Sequence, residues 1–549
     1  MRLALAVGLA GLVVAAADAA RAVDPAQLQQ LIDLKAGLYR GIIGSRAQGV
    51  AAGTAQPILH VRTGENLPTL WLHFRVRADR LDALAAAIPL PPGLSLAKVP
   101  VVRGESPQHY LTVALTEVGG DRTGIRAEWT TYVRTVDDPA PRTLMLDAQA
   151  STASLDPVRL ETRPAERLEY TVEGGATSAR VVAAGASFSA AFPLPRQAQT
   201  RRVARAWNAA GDLIYWKNGV VDRVYYSGLV ANRRLTRIEP SSVAIEDRTA
   251  WAAFVHPTPR WVLLLRERLD YAILPWANVT DAALDLAPGV RDALVDTKAT
   301  AFSTVESRRA EEIGKGRAEP LAEFLLEPDP PSIFIVFAID PGKRQALADA
   351  IPLPDGVELA RMTTVRGSRR RHILVLNVYE AKGLAPGLRA EWSVFVTTGD
   401  DPTPSYMVIE AQSSGGSLDP VHLFTPPADR FTYTATDGVL DVDLAAEGHS
   451  FHASIPLAGA PRRAHPTLEW SEANNRIYWS NGVYDRIYYN GLQFDTAMID
   501  VPRKRVTIDD GSRWAPFVEP IGVLAFQNRL EFIASPWFNL DELRRDVAR

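Results

Sequence analysis

Two four-residue segments set an arginine and a glutamate two positions apart, just ahead of a tryptophan. They are Arg126-Ala127-Glu128-Trp129 and Arg389-Ala390-Glu391-Trp392. On an extended strand, residues two apart share a face. A guanidinium and a carboxylate on a face that borders a cavity can bind a polar group or hold an acid for proton transfer. The same spacing also suits an ion pair at a sheet rim. The segments Ile214 to Tyr226 and Ile477 to Tyr489 are dense in aromatics and carry Tyr215, Trp216, Tyr226, Tyr478, Trp479 and Tyr489. Aromatic rings with polar tips suit a ligand wall, a packed core or a contact between domains. Asp222-Arg223 and Asp485-Arg486 are adjacent in sequence, so their side chains face opposite ways and do not act together.

Other chemistry is excluded or weak. There is no cysteine, which removes thiolate catalysis, disulfides and cysteine-based metal sites. His449 and His452 are three apart on a strand-like stretch, a spacing that divides them between faces, so no metal is expected. No G-x-S-x-G elbow, P-loop or H-E-x-x-H occurs, and no cofactor is expected. The net charge is −3 over 549 residues, without the basic excess of a nucleic-acid binder. The lysines are Lys35, Lys98, Lys217, Lys298, Lys315, Lys343, Lys382 and Lys504, the remaining basic residues being arginine. This scarcity bears on Schiff-base chemistry, which uses a lysine amine.

The elements that must position these residues come in two copies. Ala87-Ile88-Pro89-Leu90-Pro91 recurs as Ala350-Ile351-Pro352-Leu353-Pro354, and Ser154-Leu155-Asp156-Pro157-Val158 as Ser417-Leu418-Asp419-Pro420-Val421. Such pairs, the Arg-Ala-Glu-Trp segments among them, are separated by 263 positions, as 350 is from 87. Within each copy the pattern is mostly period two, as over 70–76, 110–115, 128–133, 144–148, 168–172 and 213–226, with a short helix expected at 80–87. Asn218-Gly219 is a strong hairpin signal. These features predict a mainly β protein of two homologous antiparallel barrel or cone domains with a few short helices.

The expected organisation is a signal peptide at 1–22, a helical segment at 23–56, one β domain at 57–286, a partly helical linker at 287–318 and a second β domain at 319–549. The apolar run Leu3 to Ala17 follows Arg2 and leads to the A-x-A options Ala17-Asp18-Ala19 and Ala20-Arg21-Ala22, the pattern of a secretory signal. A secreted or periplasmic protein with no stable membrane span after cleavage is expected, an uncleaved anchor being the alternative.

The order of motifs in each copy, over nearly its full length, resembles the acetoacetate decarboxylase-like family. A strand (Ile333 to Ile339) leads to a short helix and a Leu-Pro-x-Gly turn (Leu353 to Gly356). Arg389-Ala390-Glu391 follows, then the proline turn Ser417 to Val421, Trp514, and a final strand from Arg529 to Pro536. A lipocalin-like or other barrel is the alternative. The resemblance implies a closed antiparallel β-cone with an apolar interior, a Lys-Lys pair after the proline turn that forms a Schiff base with a keto acid, and a nearby glutamate. The glutamate position matches Glu128 and Glu391. The lysine pair is missing, since Val158-Arg159 and Val421-His422 stand there, with no lysine between 99 and 216 or between 383 and 503.

Three functions remain open. The first is a binding module that holds a small hydrophobic or carboxylate ligand in its barrel, with Arg126, Arg389 and the hairpin aromatics as contacts. The second is a lysine-independent lyase or hydrolase using Glu128, Glu391 or His422. The third is a structural or surface protein. Intramolecular pairing of the two domains is expected in each case.

Overall fold

The structure, a computed structural model, describes 58–274 and 321–535 apart from loops, the longest at 153–163, 217–220, 227–233, 416–426, 480–483 and 490–497. It also describes most of 303–315 and scattered positions of 33–52. The expected signal peptide, both Ser-Leu-Asp-Pro-Val turns and His422 lie outside the described residues. The chain is mainly β and divides into two compact units, one holding Arg40–Ala318 with Tyr488–Leu492, the other Glu319–Ile487 and Gln493–Arg549 with Met1–Tyr39.

In the first-repeat unit seven strands close a ring. Leu59–Thr63 pairs with Leu269–Leu274, which pairs with Val221–Tyr226, which pairs with Leu213–Trp216, all antiparallel. Leu213–Trp216 then runs parallel to Arg142–Ala150. From there Gly124–Thr135 and Tyr110–Gly120 continue the ring antiparallel, and the end of Tyr110–Gly120 meets Leu59–Thr63 again. Gly120 permits this closure: its φ is +90°, and a Cβ there would stand 2.5 Å from the His60 carbonyl oxygen. The first half of Tyr110–Gly120 pairs instead with Thr69–Arg75, which leads on to Trp261–Leu265, Arg234–Ile238 and Gln199–Arg202.

The period-two pattern divides these strands between two interiors. On Thr69–Arg75, the residues Leu70, Leu72 and Phe74 enter a core with Leu111, Val113 and Trp129. A four-stranded antiparallel sheet of Arg167–Glu173, Ala176–Ala183, Ala186–Pro193 and Ala244–Asp247 covers that face, contributing Tyr170, Val181, Phe188 and Phe192. Its hairpins turn on left-handed pairs, Gly174-Gly175 and Ala184-Gly185. The alternate residues of the same strands, Thr69, Thr112, Thr130 and Thr143 among them, face the inside of the ring. Both faces are therefore buried, although one is built of hydroxyls.

The second-repeat unit has the same ring order: Ala322–Leu326, Leu530–Ser535, Tyr484–Tyr489, Arg476–Trp479, Asp401–Ser413, Gly387–Thr398 and Arg371–Gly383. Its own four-stranded sheet comprises Arg430–Thr436, Val439–Ala446, His449–Pro456 and Thr507–Gly511. The helix expected at 80–87 occupies Leu81–Ala87. A second short helix, Arg205–Ala210, and its counterpart Leu468–Ala473 carry no clear period in sequence. The stretch expected as a linker carries helical residues at 305–314 that are anchored in the first-repeat unit. Glu306 is buried, with Oε1 accepting from the Ile58 backbone N–H at 2.9 Å, and buried Arg309 pairs with Asp121. Among the described residues no helix is long and apolar enough to cross a membrane.

Candidate functional site

A cavity of about 220 Å³ occupies the ring of the first-repeat unit. Its apolar wall includes Leu59, Val61, Met145, Ile214, Val224 and Ile273, and the indoles of Trp71 and Trp207 border it. Its polar wall is a ladder of threonines at 69, 112, 116, 130 and 143. Threonine is β-branched and suits a strand, and its hydroxyl gives a buried face hydrogen-bonding capacity without net charge.

Arg126 and Glu128 both line this cavity. Their side chains are 16% and 26% exposed, and Arg126 Nε donates to Glu128 Oε1. The guanidinium thus already has an anionic neighbour on the cavity wall. No lysine stands among the described lining residues.

A buried polar chain runs from the cavity wall into the protein. Trp207 Nε1 donates to Tyr132 Oη at 2.7 Å, Tyr132 Oη lies 3.3 Å from Thr112 Oγ1, and Thr112 Oγ1 lies 2.8 Å from His73 Nδ1. His73 is wholly buried, and burial pushes its pKa down to about 3, so the ring is neutral at physiological pH. Its Nε2 has no hydrogen-bond partner among the described residues. Trp207 and Tyr110 meet the imidazole edge-on, with ring centroids 5.5 and 6.0 Å away. Burial raises the Tyr132 phenol to about 12, against its hydrogen bonds with Thr112 and Trp207, so it stays protonated. Just behind the wall, burial pushes Asp212 up to about 8, with Arg142 opposing the shift.

The aromatic hairpin meets the cavity through aliphatic side chains. Of its described side chains, Ile214 and Val224 line the cavity, whereas Tyr215 and Trp216 do not. Tyr215 points to the other face and packs on the core beneath the four-stranded sheet, the consequence of period-two alternation. Trp216 is buried with Met145, Val224 and Val50, and its indole N–H donates to Asp222 Oδ2 at 2.5 Å. In this structure both support the wall from behind rather than line the cavity. The side chains of Tyr226, Tyr478, Trp479 and Tyr489 lie outside the described residues.

In the second-repeat unit Arg389 and Glu391 are both buried. Tyr379 Oη donates to Glu391 Oε1 at 2.7 Å, and the Arg389 guanidinium lies over the Phe324 ring, 5.6 Å from its centroid. Of the remaining histidines, His449 and His452 are exposed on one strand. Among the described residues no group of three or more His, Asp or Glu is arranged to hold a metal ion.

Sequence reasoning missed His73, Tyr132 and Trp207. The threonine spacing was visible, since 112 and 116 alternate with the apolar residues of one strand, but a polar ladder reads in sequence as a solvent face.

No protein-family profile matches this sequence, and no curated protein matches it. Among solved structures, the chain is similar to acetoacetate decarboxylase from Legionella pneumophila at 8% identity, over 40% of this chain and 85% of that one, with a TM-score of 0.26. It is also similar to the enduracididine biosynthesis enzyme MppR with HEPES buffer bound, at 12% identity over 40% and 85% of the two chains, with a TM-score of 0.23. The di-domain ARO/CYC StfQ from the steffimycin biosynthetic pathway aligns at 11% identity over 88% and 92%, with a TM-score of 0.10. These scores are too low for any of the three to say what this chain binds or catalyses.

Proposed function

We propose that the first repeat is a receptacle for a small, mainly apolar molecule with one hydrogen-bonding group, in an exported protein that does not use Schiff-base chemistry. The observation that carries this reading is the cavity of about 220 Å³ within the closed strand ring, apolar on one wall and hydroxyl-bearing on the other. The pairing of Arg126 with Glu128 favours an uncharged polar end, such as an alcohol or carbonyl. A carboxylate would have to compete with Glu128 for the guanidinium, and would itself be desolvated beside a like charge. That no lysine stands among the described lining residues argues against a covalent adduct with a keto acid. The Arg2 to Ala22 segment supports export, and N-terminal sequencing of the mature protein should begin after Ala19 or Ala22.

The test is a thermal-shift and native mass-spectrometry screen with chain-matched alcohols, ketones and carboxylic acids. A ligand at a hundred times its Kd stabilises the native state by about 2.7 kcal/mol, enough for a clear shift. Neutral members should bind, and Ala114→Phe, which fills the cavity, should abolish the effect. No binding by any member would overturn the proposal. Preference for the acids would replace the uncharged ligand with a carboxylate.

A further inference from the structure

We infer that the two repeats are functionally unequal: the first keeps an open site, while the second seals the equivalent site with its own side chains. This rests on the reading of the first barrel as a receptacle and names which repeat is occupied. Strand register makes the two barrels comparable position by position. Val61 opposes Tyr271 as Phe324 opposes Phe532, and Ile214 opposes Thr143 as Ile477 opposes Tyr406.

At the position of Thr116 in the first barrel stands Tyr379, and its hydroxyl donates to Glu391, the counterpart of Glu128. In place of Val61 stands Phe324, stacked on Phe532 with ring centroids 5.0 Å apart and lying beneath Arg389. Ala534 replaces Ile273 at a flanking position, which makes room for that stack. The Arg–Glu pair kept in both repeats therefore borders a cavity in the first and is buried against Tyr379 and Phe324 in the second. Tyr379 Oη gives Glu391 the hydrogen bond that a ligand hydroxyl could give Glu128.

A second observation points the same way. The polar chain behind the first cavity is absent from the second barrel, where Val336, Val375 and Phe395 replace His73, Thr112 and Tyr132. Trp470, the counterpart of Trp207, is fully buried, and its indole nitrogen has no hydrogen-bond partner among the described residues. Burying an indole N–H without an acceptor is unfavourable. The second barrel thus keeps the tryptophan but not the Tyr–Thr–His chain attached to it in the first.

Xenon tests this without knowledge of the ligand, because it lodges against apolar walls such as the one the first cavity has at Leu59, Val61 and Ile273. Crystals of the full chain under xenon should show the atom in the first barrel and none beside Glu391. The double variant Phe324→Val/Tyr379→Thr, which restores the first repeat's residues, should admit xenon beside Glu391. Thr116→Tyr should expel it from the first barrel. Xenon beside Glu391 in the unmodified protein would overturn the inference while leaving the first-repeat receptacle intact. Failure of the double variant, folded by circular dichroism, to admit xenon would also overturn it. Xenon in neither barrel of the unmodified protein would instead sink the receptacle reading. If the double variant does not fold, the unmodified crystal and Thr116→Tyr still decide.

Discussion

Replacing His73 with valine, the residue at the equivalent position 336, should remove an acid sensitivity from the first-repeat unit. His73 is wholly buried, and its pKa falls from 6.5 to about 3 through desolvation. A group with a depressed folded pKa stabilises the native state above its unfolded pKa. That stability is lost as pH falls from about 6.5 toward 3, because the unfolded chain takes up the proton first. For one such site the loss between pH 7 and pH 5 is about 2 kcal/mol. Urea denaturation of the full chain at both pH values, followed by tryptophan fluorescence, measures it. Trp207 reports locally, since its ring centroid is 5.5 Å from that of His73. Other titrating groups contribute equally to wild type and His73→Val, so the difference between their pH dependences isolates the imidazole. The variant should lose about 2 kcal/mol less than wild type on acidification. Equal losses in the two proteins would refute the burial argument for His73.

Asp212, pushed up to about 8 by burial, has the opposite dependence: the native state holds its proton while the unfolded chain releases it, so stability falls as pH rises from 3.8 toward 8. Asp212→Asn should therefore raise the urea midpoint of the first-repeat unit more at pH 8 than at pH 5, and equal shifts would count against a protonated carboxyl there. Ala184 holds a φ of +49° in the turn before Gly185. Ala184→Gly should stabilise the unit by up to about 1 kcal/mol in the same denaturation assay, and a loss of stability would show that relief of the left-handed strain does not dominate.

Much of the architecture was legible in the residues. Alternation over 70–76, 110–115, 128–133 and 144–148 foretold strands now seen at Thr69–Arg75, Tyr110–Gly120, Gly124–Thr135 and Arg142–Ala150. That pattern is local, because a strand's side chains alternate wherever the strand lies. Face-sharing by Arg126 and Glu128 follows from the same rule. Which face is inward does not, since it depends on partners distant in sequence. Tyr215 and Trp216 looked equally fit to meet a ligand, yet closure of the ring turned one toward the four-stranded sheet and packed the other behind the wall.

By itself the sequence determined the repeated β pattern, the absence of a thiol and the two long stretches without lysine, from 99 to 216 and from 383 to 503. These depend only on residue type and spacing. Only the tertiary structure decided that the threonine ladder is buried, that His73 is neutral, and that Tyr379 occupies Glu391 while Glu128 faces a cavity. Each of these depends on desolvation and on contacts between strands far apart in the chain, which come into being only when the ring closes.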